Sequence, residues 1–142
     1  GGTPRYRIYR TLDGRYLAAA PLEDRFWRVF CGVIGLPDAL ADDARDAAAT
    51  GRAVAERIAA RTAEDWRAAF AGKDCCCNVV STLEAAMADP HFVGRGLFDR
   101  GLLDGLGGRM PALRTPVLPE LTAAPHEAGY PALGEGNGLI GR

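Results

Sequence analysis

Few residues of this chain have the type and position that acid–base chemistry needs, and Glu23 is the most suggestive of them. It lies just after a predicted strand, where its carboxylate would stand in the first turn of a predicted helix. A carboxylate in such a place can exchange a proton or orient a neighbouring imidazole. It can equally be there only because the positive end of the helix dipole favours an acid. Both interpretations stay open from the residues alone.

The other groups that commonly do chemistry lack a recognisable setting. His91 and His126 are the only histidines, and neither lies near a serine or cysteine in a nucleophile pattern. Such histidines are more typical of surface or capping positions than of catalysts. The glycine-rich runs at Leu106 and Glu135 are not followed by a predicted helix, which weakens them as phosphate-binding loops. The dinucleotide, P-loop, zinc-protease and hydrolase motifs do not occur.

Four cysteines raise the question of a metal or a disulfide. Cys75, Cys76 and Cys77 are consecutive, and side chains alternate faces along a strand, so these three thiols are not expected to converge on one zinc ion. Cys31 stands alone on a predicted helix. We therefore predict no metal site, and we interpret the run as part of a core strand in which free cysteine acts as a small hydrophobe. Adjacent thiols favour a reducing compartment, and an exposed one could be oxidised.

Two short strands joined by a tight turn are predicted to precede Glu23. Residues 5–10 and 15–20 are rich in aromatic and aliphatic side chains, and Asp13-Gly14 between them tolerates the positive φ angles of a hairpin turn. The hairpin also carries a basic cluster that a nucleotide phosphate could use. Solvated charges that protect an edge strand are the commoner interpretation of such a cluster. Its members are Arg5, Arg7, Arg10 and Arg15.

Several helices and one more strand are predicted after the hairpin. Apolar residues at helical spacing indicate the first helix, and a threonine followed by acids indicates the start of the fourth, in which Trp66 is a core residue. The predicted helices cover 22–34 before Gly35, a charged stretch over 39–50, 52–60, a segment capped by Thr62, and a short segment capped by Ser81 or Thr82 that ends before Asp89-Pro90. The predicted apolar face of the first helix consists of Leu22, Phe26, Val29, Phe30 and Val33.

The order of these elements predicts an α+β fold without βαβ alternation. We predict a small α+β domain over residues 1–100. Most of the 18 glycines and 9 prolines follow residue 94, so residues 101–142 are predicted to be an extended C-terminal tail that needs a surface to lie on.

Length and charge bound the class of protein. With 142 residues, 48% of them hydrophobic, the chain can bury the core of about one domain. Its 17 basic and 18 acidic residues give a net charge of -1, which offers no single-sign field for nucleic acid or an anionic membrane. No apolar run approaches the roughly 20 residues of a membrane span, and there is no signal-peptide pattern. We therefore predict a cytoplasmic protein that binds neither nucleic acid nor membrane.

Four segments, in order, resemble the small domain of the family III CoA-transferases, the CaiB/BaiF group that includes 2-methylacyl-CoA racemases. The likeness covers essentially the whole chain and is specific for the family rather than for one reaction within it. The segments are YRTLDGRYLAAAPLEDRFW, RTAEDWRAAFAGKDCCCNVVSTLEAAMADPHFVGRGLF, RMPALRTPVLP and PALGEGNGLI.

The resemblance implies a chain that acts only as part of something larger. Members of the family are longer and form interlocked dimers. Their large Rossmann-like domain binds CoA and carries the nucleophilic aspartate of the transferases or the histidine and aspartate bases of the racemases. This chain is accordingly expected to be a C-terminal small-domain fragment whose tail returns to the large domain. It is expected to bind no cofactor itself and to be inactive alone, in a homodimeric protein whose substrate is an acyl-CoA thioester.

One functional residue follows from the resemblance. In racemase-like members, a glutamate in the motif Ile/Leu-Glu-x-x-Phe-aromatic hydrogen-bonds the catalytic histidine of the large domain. The segment LEDRFW presents Glu23 at that place. The chain departs from the family pattern at Asn78-Val79 and in the segment ALRTP, which bears on the substrate pocket.

Two classes of function therefore remain. The complete protein either transfers CoA between carboxylic acids or epimerises a 2-methylacyl-CoA, with the acyl group unspecified. The alternative is a non-catalytic binding or dimerisation module that presents the apolar side of its tail to a partner.

Overall fold

The computed structural model describes residues 2–113, 117, 127–129 and 131–140. The chain forms two compact units, Gly1–Val80 and Ser81–Arg142. This boundary lies earlier than the predicted one at residue 100, and the predicted return of the tail to a large domain stays a prediction. The mixture of helices with small sheets confirms the α+β class.

The first unit contains the predicted hairpin, extended to a three-stranded antiparallel sheet. Its strands are β1 (Arg7–Arg10), β2 (Tyr16–Ala19) and β3 (Cys77–Val79), in the order β1-β2-β3. Gly14 adopts the positive φ of 77° that the turn requires. The sheet buries one face, which carries Tyr9, Leu17 and Val79. The interpretation of the cysteine run as part of a core strand is confirmed only from Cys77, where β3 begins, since Cys75 and Cys76 precede the strand and Cys76 is exposed.

Four helices lie between β2 and β3 in the first unit. They are α1 (Asp24–Ile34), α2 (Asp38–Ala41), α3 (Ala47–Ala59) and α4 (Ala63–Phe70). Helix α1 ends at Gly35, in the left-handed conformation as predicted. Helix α4 begins with the predicted cap, in which Thr62 and Asp65 bond each other's backbone N–H groups.

The core lies between α1, α3, α4 and the sheet. Trp66 is 1% exposed, as predicted, and its ring lies beside that of Phe70. Phe30 stacks between Trp27 and Phe70, with ring centroids 5.6 and 5.7 Å away. The predicted apolar face of α1 is wrong in part, because Leu22 and Val29 are exposed. The helix begins two residues later than predicted, and its buried stripe is Phe26, Trp27, Phe30, Cys31 and Ile34.

The predicted break between residues 50 and 52 does not occur. Helix α3 continues through Thr50 and Gly51, both buried, and begins where Asp46 accepts a hydrogen bond from Ala49 N at 2.9 Å. A Cβ atom at Gly51 would lie 3.4 Å from the Arg7 guanidinium, about ordinary contact distance, so the space there does not itself require glycine. Gly51 therefore lies inside the helix rather than in a turn.

The second unit begins with two short helices, α5 (Leu83–Ala88) and α6 (Pro90–Gly94), capped by Thr82 and Asp89. The predicted tail then contains a second sheet. Strand β4 (Arg100–Leu103) pairs antiparallel with β5 (Arg109–Ala112) and parallel with β6 (Glu127–Gly129). Extended segments satisfy their backbone groups by pairing with one another. A 3₁₀ turn covers Asn137–Leu139, and no helix in the described ranges is long and apolar enough to cross a bilayer.

Candidate functional site

Glu23 lies at the junction between β2 and α1. Its backbone is extended, with φ -76° and ψ 142°, and its carbonyl accepts the first helical hydrogen bond, from Trp27 N at 2.9 Å. Glu23 is therefore the N-cap residue of α1, and the prediction that it lies in the first turn of the helix is wrong by one position. Its side chain makes no cap hydrogen bond and is exposed. Among the described residues, no ion pair or hydrogen bond holds the Glu23 carboxylate.

Arg5 organises the backbone on both sides of Glu23. Its guanidinium donates to the Leu22 carbonyl at 3.1 Å and to the Asp24 carboxylate at 2.6 Å. The same group donates to Asp43 at 2.8 and 3.0 Å and lies over the Trp27 ring, 5.2 Å from its centre. The hydrogen bond to Asp43 raises the pKa of Arg5, and the hydrogen bond from Arg5 lowers the pKa of Asp24. Arg5 thus engages the carboxylate next to Glu23.

Trp27 completes the support of this junction. Its Nε1–H donates to the Ala41 carbonyl at 2.8 Å, which ties α1 to the end of α2. The ring is 3% exposed and stacks on Phe30 in the core. The helix that carries Glu23 at its start is therefore held by aromatic packing, by a hydrogen bond and by the Arg5 ion pairs.

A largely apolar groove of about 590 Å³ lies on the exposed face of the first sheet. Cross-strand neighbours Ile8, Ala18 and Asn78 form its floor. Tyr6 and Ile8 are more than half exposed, which is unusual for side chains of this size. Ala20, three residues before Glu23, belongs to the same lining. The groove and the junction are thus adjacent along the chain.

The remaining predicted candidates do not form a second site with Glu23. His91 is exposed at the start of α6, where its backbone N–H bonds Asp89, and His126 lies outside the described residues. The hairpin arginines do not form one basic cluster. Arg5 is paired with Asp43, Arg7 lies over the Tyr9 ring, and Arg10 is exposed. In the described part of the chain, no group of acids, histidines and cysteines is arranged to hold a metal ion.

Comparisons with known proteins agree on one family. The family model described as CoA-transferase family III matches residues 1–137. Alpha-methylacyl-CoA racemase of Homo sapiens is 30% identical over 133 residues, which cover 88% of this chain and 34% of that protein. The Mus musculus racemase is 29% identical over 139 residues, which cover 95% and 35%. The chain therefore belongs to CoA-transferase family III and spans about a third of the length of these curated relatives.

Solved structures show the same fold. Rv3272 of M. tuberculosis, in its orthorhombic form, superposes with a TM-score of 0.64 at 19% identity, over 99% of this chain and 41% of that one. A second structure of Rv3272, described as a hypothetical protein, gives a TM-score of 0.61 at 21% identity, over 96% and 39%. At such identities the likeness concerns the fold.

Arg5 and Asp43 are the residues of this junction that sequence reasoning missed. They are 38 positions apart, and Asp43 lies in an acid-rich stretch that gave no reason to single it out. The commoner interpretation of the hairpin arginines, solvated charges on an edge strand, is wrong for Arg5, whose side chain is 19% exposed. The one available signal was that Arg5 precedes an aromatic strand and that arginine is favoured for forked carboxylate pairs.

Proposed function

We propose that this chain is the part of a family III enzyme that supplies the Glu23 carboxylate to an acid–base site, and that the complete protein epimerises a 2-methylacyl-CoA thioester. The observation that carries the proposal is the exposed carboxylate of Glu23, which has no partner among the described residues, beside an Asp24 that Arg5 already engages. The racemase names of the curated relatives support the choice of reaction.

The chemistry requires removal of a proton next to a thioester carbonyl and its return on the opposite face. A neutral imidazole can take that proton if its other ring nitrogen donates to a carboxylate. That carboxylate fixes the tautomer and stabilises the imidazolium that forms, which raises the basicity of the ring. Glu23 is proposed as this positioning group, and the imidazole as a contribution of the large domain that the resemblance implies.

The first test replaces Glu23 by glutamine in the complete enzyme. Glutamine keeps the size of the side chain but cannot stabilise an imidazolium, so kcat for epimerisation should fall by about 10²-fold or more, with a smaller change in KM. The measurement is exchange of the C2 proton of the acyl-CoA in deuterated water, followed over a range of pH.

Glu64→Gln provides the matched control. Glu64 is also exposed at the start of a helix and forms an ion pair with Arg67 on α4. Its replacement should leave kcat within about threefold, since surface substitutions usually change free energies by no more than about 0.5 kcal/mol. A Glu23→Gln enzyme as active as this control would remove Glu23 from the mechanism.

CoA transfer between carboxylic acids is the second reaction of the family that the proposal must be separated from. The complete enzyme is incubated with an acyl-CoA and a free carboxylic acid in deuterated water. Epimerisation gives deuterium at C2 of the original thioester, whereas transfer gives a new thioester with C2 unlabelled. The second result would replace the racemase proposal by a transferase one.

A non-catalytic binding or dimerisation role is favoured for the isolated chain by one observation, the apolar groove with exposed Tyr6 and Ile8. The isolated chain is expected to show neither reaction. We also propose that the complete protein is a homodimer, which light scattering coupled to gel filtration would measure. Epimerisation by the 142-residue chain alone would contradict the proposal that the large domain supplies the catalytic imidazole.

A further inference from the structure

The segment between α4 and β3 carries three consecutive cysteines, and its backbone bends at the middle one. Cys76 has φ 49°, and no other non-glycine residue among those described has a positive φ. The left-handed conformation costs an ordinary residue about 1–2 kcal/mol. Alternate residues of a regular strand are about 6.6 Å apart along the chain. The Sγ atoms of Cys75 and Cys77 are only 3.4 Å apart, in van der Waals contact.

The surroundings hold this pair of thiols in place from both sides. Cys75 is 1% exposed, and its thiol faces the Lys73 carbonyl at 3.9 Å. Cys77 is half-buried, packs against the core and is one of the residues that line the groove on the sheet. The carbonyl of Cys76 accepts a hydrogen bond from Ala20 N at 2.9 Å, which fixes the bend against β2. Cys77 is thus the more exposed member of the pair, and the buried Cys75 thiol is in contact with it.

We propose that Cys75 and Cys77 form a reversible redox dithiol that closes to an intramolecular disulfide, with a small-molecule disulfide such as glutathione disulfide as the oxidant. The Cys77 thiolate attacks one sulfur of glutathione disulfide, which breaks the S–S bond, releases one glutathione thiolate and leaves a mixed disulfide. The Cys75 thiolate then attacks Sγ of Cys77 and expels the second glutathione. Two protein thiols are oxidised, one glutathione disulfide is reduced to two glutathiones, and both thiol protons pass to solvent and the leaving thiolates.

The geometry selects this pair over the other combinations. A disulfide between adjacent cysteines would close a small ring around a single peptide bond, whose planarity opposes it. Such a ring would involve Cys76, whose side chain is exposed, whereas Cys75 is buried and Cys77 is half-buried. Cys31 is buried on α1, with the other members of its stripe around it. Among the four cysteines, Cys75 and Cys77 are the pair whose sulfur atoms are in contact, and Cys77 is partly exposed.

The rate of the first step is limited by the thiolate fraction. Burial, followed by the neighbouring Cys75 thiol, raises the pKa of Cys77. Exchange should therefore be slow at neutral pH, and the experiment is run at about pH 8.5, where thiolates are more abundant. Completion is followed over hours rather than minutes.

The test uses the full chain with Cys76→Gly. Glycine adopts positive φ without strain, so the variant keeps the bend and removes the third thiol of the segment. After incubation with glutathione disulfide, free thiols are alkylated under denaturing conditions. The protein is then digested, and the masses of the peptides are measured by mass spectrometry. The peptide carrying Cys75 and Cys77 should lose two hydrogens, carry no glutathione and resist alkylation, whereas Cys31 should be alkylated.

Three further measurements keep the result decisive. Cys77→Ser in the Cys76→Gly background should abolish the loss of two hydrogens. Cys76→Asn, which also tolerates the left-handed conformation, replaces the glycine variant if that one does not fold. Fragmentation of the oxidised wild-type peptide should place the bond between Cys75 and Cys77. A folded variant that keeps two alkylatable thiols or a stable glutathione adduct, or a wild-type bond that includes Cys76, would overturn the proposal.

Discussion

Arg5 determines which of the two carboxylates at the start of α1 is engaged in an ion pair, and it engages Asp24 rather than Glu23. Two acids follow each other there, Glu23 and Asp24, and an isolated helix start would favour both of them. The Arg5 guanidinium bonds Asp24 and the Leu22 carbonyl, on either side of Glu23, and reaches neither oxygen of the Glu23 side chain. The distinction between a structural acid and an available one therefore comes from a residue 18 positions upstream in the sequence.

Replacement of Arg5 by alanine should lower the free energy of unfolding by about 2–3 kcal/mol. The reason is that Asp43, only 15% exposed, would lose the partner that compensates its burial. Arg5→Lys should recover less than half of the loss, since one ammonium cannot form the same fork of bonds. Urea unfolding followed by tryptophan fluorescence measures both variants. Arg10→Ala, an exposed arginine of the same hairpin, is the control, and a loss equal to that of Arg5→Ala would contradict the role assigned to Arg5.

The buried tyrosine Tyr9 should make the folded state less stable at alkaline pH. Its hydroxyl donates to the Pro4 carbonyl at 2.7 Å, and burial raises the pKa of Tyr9 to about 12. The ordinary pKa of tyrosine, about 10, applies after unfolding. The folded state thus keeps the proton longer, so the stabilisation is complete below about pH 10 and falls by about 2–3 kcal/mol as pH rises towards 12.

Two tyrosine variants check this assignment. Tyr9→Phe should cost about 1 kcal/mol at neutral pH, through the lost hydrogen bond, and should make the loss of stability above pH 10 shallower. Tyr16→Phe removes a half-exposed tyrosine on β2 and should leave the alkaline loss unchanged. Urea unfolding between about pH 8 and 11.5 gives the comparison. Equal slopes in wild type and Tyr9→Phe would mean that Tyr9 does not contribute.

At the scale of the elements, the features that could be predicted are those with local causes. The turn at Asp13-Gly14, the end of α1 at Gly35 and the cap at Thr62 each depend on a few neighbouring residues whose backbone preferences are specific. The same is true of the position of Glu23 between strand and helix. The resemblance added a role for Glu23, and that role stays a prediction.

The features that could not be predicted depend on distant partners. The exposure of Val29 reflects which side of α1 meets the core, and that of Leu22 its position before the helix, whereas spacing alone fits more than one stripe. The passage of α3 through Gly51 depends on the packing of the whole helix, whose Val54 and Ile58 are buried in the core. The pairing of β4 with β6 joins segments more than 20 residues apart, and their short runs show no alternation that would identify them.

At the scale of the elements, the capping of α4 by Thr62 gives a testable prediction about stability. Its hydroxyl accepts from Asp65 N at 3.2 Å, while its own N–H donates to the Asp65 carboxylate at 3.1 Å. Thr62→Ala should lower the free energy of unfolding by about 1 kcal/mol, and Thr62→Ser should recover most of it because serine retains the hydroxyl. Chemical denaturation provides the values. A serine variant as unstable as the alanine variant would show that the methyl group, rather than the cap, carries the effect.

For the whole molecule, the distribution of the core is the informative feature. The large buried side chains of the described residues, among them Trp66, Phe30 and Leu17, all belong to the first unit, which also contains Glu23, the groove and the proposed dithiol. The second unit contributes two short helices and a mixed sheet whose described strand residues are mostly half-buried or exposed. Stability and the candidate chemistry are thus concentrated in the same stretch of chain.

We therefore expect residues 1–80 to fold without the rest of the chain. They contain the whole hydrophobic cluster around Phe30, all three strands of the first sheet and both tryptophans, Trp27 and Trp66. A segment of this size can bury enough apolar surface for a cooperative transition, although with a modest margin. Urea unfolding of residues 1–80 should give one sigmoidal transition by tryptophan fluorescence, with amide exchange protection in α1, α3 and α4. Phe30→Ala in the same segment should abolish the transition, because truncation of a buried phenylalanine costs about 3–5 kcal/mol, whereas Val29→Ala on the exposed side should preserve it. A broad, non-cooperative loss of fluorescence from residues 1–80 would show that the core between α1 and the sheet is not sufficient by itself.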